Sequence, residues 1–261
     1  LKKILPEYTH VIHLAAIVGE GACNARPDLT REINQNSVKW LAENFSGRII
    51  FTSTCSVYGN QEISSGGEAI DESRIPAPLS LYGETKVAAE KYLENKNALI
   101  LRLGTLFGLG DHFSRPRLDL AGNQMPIAAN SKGYLEVYGG GVQWRPFIHV
   151  KDVGEIIAKA VLADTTGIHN IGAINITISD LTKLVSQKTN CEIRHVGAIP
   201  SDKRNYNIST DKARRGGLLL EKWRPLEEGI NEVLHLVGTG KLKNPNGDLY
   251  INERHLKKIL Q

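Results

Sequence analysis

A tyrosine and a lysine stand four residues apart in this sequence, at Tyr82 and Lys86, just after Ser80. Four residues are about one helical turn, so the phenol and the ammonium of such a pair project from the same helix face. A nearby cation favours a phenolate and lowers a tyrosine pKa from its usual value of about 10. The pair therefore predicts a proton shuttle. The alternative is a half-buried phenol beside a solvated lysine.

A cluster of hydroxyl side chains stands earlier in the chain. Residues 48–51 are apolar and mostly β-branched, which predicts a buried strand of a parallel sheet. Ser53, Thr54 and Ser56 follow at the point where that strand should end. Ligands of open α/β sheets bind just past the carboxyl ends of the strands, so these hydroxyls are predicted to lie at a chemical site.

Together, the two motifs resemble the extended short-chain dehydrogenase/reductase family, specifically its NAD-dependent nucleotide-sugar epimerases and dehydratases. The resemblance covers residues 10–160 by motif and extends more loosely to residue 241. It implies that Tyr82, Lys86 and Thr54 are catalytic. Tyr82 would take the proton of a sugar hydroxyl while hydride leaves the same carbon for the cofactor, and Thr54 would bind the sugar oxygen. The implied cofactor is NAD, and NADP is not excluded.

The resemblance also assigns a cofactor-binding surface. Residues 10–16 are predicted to form a buried strand that ends in small residues beneath the cofactor, with a simple packed strand end as the alternative. Asn34 matches the family asparagine that holds the active-site geometry. The implied cofactor-binding residues are Leu14, Ala15, Ala16, Asn34, Thr52, Ser53, Tyr82, Lys86, Leu103, Thr105 and Leu106.

A nucleotide-diphosphate sugar is the substrate that the resemblance implies. Arg145 matches the family arginine that grips the diphosphate, a task suited to a planar fork of donors, whereas a surface ion pair is the alternative. Residues 202–206 form a polar segment in which Arg204 is the candidate for a second diphosphate or ribose contact. The implied substrate-binding residues are Thr54, Ser56, Arg117, Asn123, Arg145 and Arg204.

The residues that follow Thr54 help to choose a reaction. Dehydratases of the family carry Asp and Glu there, because removal of water needs one carboxyl group as acid and another as base. This chain has Cys55 and Ser56, which disfavours a 4,6-dehydratase. Epimerisation through a keto intermediate is favoured, and reduction is the alternative. A non-catalytic dinucleotide-binding fragment or sensor is a second class of hypothesis, against which the presence of all three catalytic residues argues.

The predicted fold class is α/β, with a Rossmann-like doubly wound parallel sheet and a smaller α+β substrate-binding lobe. We expect residues 1–110, joined by about 150–172, to form the dinucleotide-binding part. Residues 111–149 and 173–261 should form the substrate-binding lobe and the C-terminal helices. Gly139–Gly141 predict a hairpin-like turn. Helices are predicted at 28–44 and 80–95, and by family analogy they would join two copies into a homodimer through a four-helix bundle.

The glycine-rich turn that the family places ahead of residues 10–16 is not found in this sequence. In that turn, glycines let a pyrophosphate reach backbone N–H groups at a helix N-terminus. Only residues 1–9 precede the predicted strand. We therefore expect the N-terminal part of the Rossmann pattern to be missing from this chain, together with the residues that separate NAD from NADP.

Two further polar groups are predicted to be structural. The resemblance makes Arg102 a structural ion-pair partner. His149 and Asp152 look like half of a catalytic triad, but Asp152 falls near a predicted helix N-terminus, where a carboxylate is favoured.

Composition narrows the class of protein. The 261 residues are 41% hydrophobic and 23% charged, which suits one globular α/β unit with a sizeable core. No apolar run approaches the ~20 residues that span a bilayer, so no membrane contact is predicted. The net charge of +4 comes without aromatic interleaving, which argues against nucleic acid as a partner. Three widely spaced cysteines indicate neither disulfides nor a metal site, and favour a reducing, cytoplasmic location.

Overall fold

The computed structural model describes residues 1–61, 68–111, 115–197, 202–242 and 244–260. Strands within these ranges are β1 (His10–His13), β2 (Arg48–Thr54), β3 (Ala98–Leu103), β4 (Thr105–Phe107), β5 (Tyr134–Tyr138), β6 (Trp144–His149), β7 (Gly167–Ile171), β8 (Ile174–Thr177) and β9 (Glu192–Val196). Helices are α1 (Glu20–Ala25), α2 (Pro27–Arg31), α3 (Ser37–Asn44), α4 (Leu81–Leu93), α5 (Ala121–Lys132), α6 (Val150–Leu162), α7 (Ile178–Thr189), α8 (Asp211–Arg215), α9 (Leu226–Gly238) and α10 (Asn252–Ile259).

The main sheet is parallel and has the strand order β1-β2-β3-β7 among the described residues. Strand β2 is buried along almost its whole length, which accounts for its continuous apolar run. Its last residue, Thr54, pairs in register with Leu103 of β3. The sheet register therefore carries the predicted hydroxyl cluster to the carboxyl edge of the two central strands.

Helices cover both faces of the main sheet. On one face, α3 and α4 bury side chains such as Val38, Leu41 and Leu93 against the sheet residues Phe51 and Ile100. On the other face, Ile156 and Ala160 of α6 pack on Ile50, Leu99 and Leu101. Full burial of one such Leu, Ile or Phe side chain stabilises the fold by about 1.5–3 kcal/mol. The predicted doubly wound α/β architecture is confirmed.

A second group of elements packs beside the main sheet. Strands β4, β6 and β8 form a three-stranded sheet, and β5 pairs in parallel with β9. The predicted hairpin-like turn at Gly139–Gly141 is wrong, because β5 does not pair with β6, the strand that follows this turn. The segment is a 3-10 turn in which a Cβ at Gly141 would lie 2.8 Å from the backbone nitrogen of Ser179. The close approach of α7 explains the glycine.

The predicted helix at 28–44 is interrupted. It consists of α2, a π-helical turn at Glu32–Asn36 and α3. A π turn adds one residue to the helix and changes which side chain faces inwards. The predicted helix at 80–95 corresponds to α4, and Ser80 caps its N-terminus by accepting a hydrogen bond from Gly83 N at 3.2 Å.

Both predicted parts of the chain include positions that lie outside the described residues. Positions 62–67 belong to the predicted dinucleotide-binding part at 1–110, and positions 112–114 belong to the predicted substrate-binding lobe at 111–149. Across the described ranges, no helix has both the length and the apolar character needed to cross a bilayer.

Candidate functional site

One cavity of about 1910 Å³ opens at the carboxyl ends of β2 and β3. Most of the predicted site residues line it. They are Leu14, Ala16, Thr52, Ser53, Thr54, Ser56, Tyr82, Lys86, Leu103, Thr105, Leu106, Arg117, Asn123, Arg145 and Arg204. Ala15 and Asn34 do not line it. The sheet register and helix α4 thus bring residues from distant parts of the chain to one space.

Thr54 and Tyr82 meet in this cavity. Thr54 ends β2 and Tyr82 lies in the first turn of α4, and a side-chain hydrogen bond joins them. Burial raises the pKa of Tyr82 to about 12, and the charge of Arg117 offsets only part of that rise. The phenol is therefore protonated at neutral pH.

Lys86 lies deeper than Tyr82, and its side chain is 2% exposed. Its Nζ donates a hydrogen bond to Thr52 O at 2.8 Å and lies 4.5 Å from the centre of the Phe51 ring. Burial lowers the pKa of Lys86 to about 8. A nearby cation is expected to lower the pKa of Tyr82, but the pKa is raised because desolvation of the phenol dominates.

Asn34 lies outside the cavity lining and bonds both the loop after β1 and helix α4. Its side chain is fully buried; Oδ1 accepts from Ile17 N at 2.7 Å and Nδ2 donates to Ile17 O at 2.8 Å. A longer contact of 3.4 Å reaches the hydroxyl of Thr85 on α4. These bonds use both Nδ2 hydrogens and one lone pair of Oδ1, and the cofactor contact predicted for Asn34 stays a prediction. Asn34 holds the loop after β1 against α4.

A buried ion pair between α4 and β3 lies next to β2. Arg102 binds the carboxylate of Glu90 through Nε at 3.0 Å and Nη2 at 2.7 Å. Ser53 donates to the same carboxylate at 2.5 Å, and Arg102 Nη1 donates to Tyr58 Oη at 2.9 Å. The structural role predicted for Arg102 is thus observed. The network fixes the residue that precedes Thr54, since Ser53 is 3% exposed and tied to α4.

Two arginines and a carboxylate form the far side of the cavity. Arg204 grips Asp202 through Nε at 2.8 Å and Nη2 at 2.6 Å, and Arg145 Nη2 reaches the same carboxylate at 3.1 Å. Arg204 Nη1 also donates to Ser56 Oγ at 3.2 Å. The structure therefore brings the two predicted diphosphate-binding residues together and connects them to Ser56, just past the end of β2.

Asn123 and Arg117 differ in the exposure of their side chains and in how many of their polar atoms are bonded within the protein. Asn123 is 3% exposed, and its amide bonds the backbone of Gly108 at 2.9 and 3.2 Å and Arg117 O at 2.9 Å. These bonds use both Nδ2 hydrogens and one lone pair of Oδ1, and its contact with the sugar nucleotide stays a prediction. Arg117 keeps a partly exposed guanidinium in the cavity, held by Asp119 at 2.6 Å, and Asp119 in turn accepts from Asn252 N at 2.9 Å.

His149 and Asp152 take the structural places predicted for them. His149 is fully buried; its Nδ1 accepts from Lys151 N at 3.2 Å and its Nε2 lies 3.0 Å from Glu232. Asp152 accepts from the backbone and side chain of Arg224. No pair of these groups forms a triad with Thr54 or Ser56.

Comparisons with known proteins place the chain in a family. The model of the NAD dependent epimerase/dehydratase family matches residues 1–176, and the chain belongs to this family. UDP-glucuronic acid decarboxylase 1 of Xenopus tropicalis is 26% identical over 219 residues, which are 79% of this chain and 50% of that protein. The chain thus spans about half the length of that curated relative.

Solved structures agree on the fold. An NAD-dependent NDP-hexosamine 5,6-dehydratase, TunA, superposes with a TM-score of 0.78 at 20% identity, covering 93% of this chain and 81% of that one. UDP-glucuronic acid 4-epimerase from Bacillus cereus, solved with UDP-glucuronic acid and NAD, gives a TM-score of 0.72 at 25% identity, covering 90% of this chain and 78% of that one.

Several residues of the site escaped the analysis of the sequence. For Glu90 the sequence gives weak grounds to expect a buried partner, since it is a charged residue one turn after Lys86 on an otherwise packed helix face. Asp119 and Asn252 carried no local signal, because their roles depend on contacts between segments far apart in the chain. Tyr206 stood in the polar segment 202–206 but was not assigned a role; it is 2% exposed and contacts Ser56.

Proposed function

We propose that this protein is an NAD-dependent epimerase of nucleotide-diphosphate sugars. The observation that carries the proposal is the convergence of Thr54, Tyr82 and Lys86 in one cavity whose far side presents Arg145 and Arg204. A hydroxyl, a phenol and an ammonium suit oxidation of a sugar alcohol. Paired guanidinium groups suit a diphosphate.

The residues present fit the ribose and nicotinamide end of a dinucleotide. Lys86 is a buried cation that makes one hydrogen bond within the described part of the chain, to Thr52 O, and this leaves N–H donors for a hydroxylated ligand such as a ribose. Leu103 and Leu106 add an apolar wall beside it. When bound, NAD supplies the chemistry of accepting hydride from a sugar carbon and returning it.

Tyr82 is the group that moves the proton. In this proposal its phenolate takes the proton of the sugar hydroxyl, and the phenol later returns it. A phenol whose pKa is about 12 without ligand needs positive charge nearby, and Arg117 and Lys86 are the cations of the cavity wall that face it. Thr54 holds the sugar oxygen next to the phenol.

The surroundings of Thr54 favour epimerisation over dehydration. Cys55 is 1% exposed, and its Sγ donates to Arg102 O at 3.2 Å. Burial raises the pKa of the Cys55 thiol well above its usual range, so the residue is neither an acid nor a base for the sugar. Ser56 is a hydroxyl already bound to its neighbours. Reduction of a keto sugar needs the same three catalytic groups and remains the second candidate.

The test is direct. The protein is incubated with NAD and, in turn, with UDP-, dTDP-, CDP- and GDP-hexoses and UDP-glucuronic acid, and sugar products are followed by NMR. We expect an epimer of at least one sugar, formed without net consumption of NAD. A keto sugar released together with an equal amount of NADH, which is reduction run in reverse, would instead support the reductase. No turnover by protein that demonstrably binds NAD would overturn the proposal.

A further inference from the structure

The hydroxyl of Ser56 lies at the centre of a small hydrogen-bond cluster beside the catalytic groups. Its Oγ is 3.1 Å from Thr54 Oγ1, 3.2 Å from Arg204 Nη1 and 3.4 Å from Tyr206 Oη. Ser56 is 6% exposed and Tyr206 is 2% exposed, so bulk water does not compete freely for these bonds. The cluster joins the arginine end of the cavity to Thr54.

The directions of these bonds follow from the groups involved. A serine hydroxyl has one donor hydrogen and two acceptor lone pairs. Thr54 donates to Ser56, and the guanidinium of Arg204 can only donate. Both lone pairs of Ser56 are then occupied, and its own hydrogen is left for Tyr206.

The same reasoning gives the directions of the hydrogen bonds made by the Thr54 hydroxyl. Its hydroxyl accepts from Ser56 N at 3.1 Å and gives its hydrogen to Ser56 Oγ. One lone pair is left to face Tyr82 and the cavity. Thr54 can therefore accept a hydrogen bond there, from the Tyr82 phenol or a sugar hydroxyl, but it can stabilise a phenolate only by turning its hydrogen away from Ser56.

We propose that Ser56, held in place by Arg204, directs the Thr54 hydrogen away from Tyr82, so that Arg204 is a positioning residue that couples the nucleotide end of the cavity to the catalytic hydroxyl. The inference rests on the function proposed above and assigns these two residues a part in the proton step. Arg204 suits the role because Asp202 fixes its Nε and Nη2, which leaves Nη1 for Ser56.

The coupling has a chemical consequence. A diphosphate that accepts hydrogen bonds from Arg204 weakens the bond from Arg204 Nη1 to Ser56 Oγ. The orientation of the Thr54 hydroxyl, which donates to the same Ser56 Oγ, then changes as well. The proton-accepting power of Tyr82 then depends on whether the nucleotide end is filled.

The test is a double-mutant cycle read on the pH profile of kcat/KM, using the sugar nucleotide that the wild-type protein turns over. The variants are Ser56→Ala, Arg204→Gln and the two combined. Ser56→Ala releases the Thr54 hydrogen to Tyr82. We expect the acidic limb to move to lower pH by about one to two units, the size of one hydrogen bond to the charged phenolate. Arg204→Gln should move it in the same direction, and the double variant no further than Ser56→Ala.

The matched control is Arg194→Gln. Arg194 grips Glu192 through Nε and Nη2 at 2.9 and 2.8 Å, two residues apart as in the Asp202 and Arg204 pair, but on β9 and outside the cavity. Its profile should match the wild type. Circular dichroism confirms that each variant is folded.

Failure of the proposed coupling can be distinguished from failure of the proposed function. An unmoved limb in Ser56→Ala, or an Arg204→Gln shift that persists undiminished in the Ser56→Ala background, would overturn the coupling while leaving the enzyme assignment in place. A wild-type protein that turns over no sugar nucleotide would remove the proposed function and this inference together.

Discussion

The ammonium of Lys86 donates to the carbonyl oxygen of Thr52 at 2.8 Å and lies 6.0 Å from the centre of the Tyr82 ring. The lysine is thus anchored to β2 and faces the ring of Tyr82. Lys86 therefore has two effects that can be measured independently. Its charge acts on the phenol of Tyr82, and its burial as a cation lowers the free energy of unfolding.

Replacement of Tyr82 by Phe should abolish the proton step and leave the fold unchanged. We expect kcat on the active sugar nucleotide to fall by about 10²–10⁴-fold, because a positioned general acid-base group contributes that much. Tyr92→Phe is the matched control, since Tyr92 lies on the same helix and accepts a bond from Gln35 outside the cavity. Equal activity of the two variants would contradict the role of Tyr82.

Replacement of Lys86 by Met should stabilise the protein while removing activity. Burial lowers the pKa of Lys86 from 10.5 to about 8, so below pH 8 the folded state holds a desolvated charge. We expect the free energy of unfolding at pH 7 to rise by about 1–3 kcal/mol.

The pH dependence follows from the same shift. Between about pH 8 and 10.5 the unfolded chain binds a proton at Lys86 that the folded chain does not, so wild-type stability should rise with pH in this window. Lys86→Met should lose that rise. Urea titrations at several pH values measure both effects, with the exposed Lys91→Met as control. A less stable Lys86→Met variant would contradict the prediction.

Replacement of Glu90 by Gln should destabilise the fold. The change leaves Arg102 buried without its carboxylate, and loss of one partner of such a pair costs about 3–5 kcal/mol. Glu94→Gln, at the exposed end of the same helix, should change the free energy of unfolding by less than about 0.5 kcal/mol. Thermal and urea unfolding provide the measurement, and equal stability of the two variants would count against the network.

The cysteines should resist thiol reagents in the native state. Cys23, Cys55 and Cys191 are all buried, and burial raises the pKa of Cys23 to about 11 and that of Cys55 further. We expect slow reaction with an aromatic disulfide reagent at pH 8 and fast reaction of all three thiols in urea. Rapid native labelling of Cys55, located by mass spectrometry, would show that the strand end opens.

Much of the site could be predicted because its residues sit on regular elements. The period of a helix places Tyr82 and Lys86 on one face, and the end of a buried strand places Thr54 at the sheet edge. These local rules hold whatever the rest of the chain does. The doubly wound sheet was predictable for the same reason.

The features that could not be predicted depend on tertiary packing. Asn34 and Asn123 are buried amides, and the backbone groups that they bond lie on loops that only the fold brings near them. The pKa of Tyr82 depends on its burial, which the spacing to Lys86 does not reveal. The turn at Gly139–Gly141 reflects the approach of α7 and not a hairpin.

The π turn at Glu32–Asn36 has a consequence for the comparison of distant relatives. Because each helical residue rotates the chain by about 100°, a relative one residue shorter at this turn would aim a different side chain at the Ile17 loop. A sequence alignment that slides by a single position across 31–37 would then equate Asn34 with an outward-facing neighbour. Gap placement at this helix, more than overall identity, decides whether the buried amide is recognised in another protein.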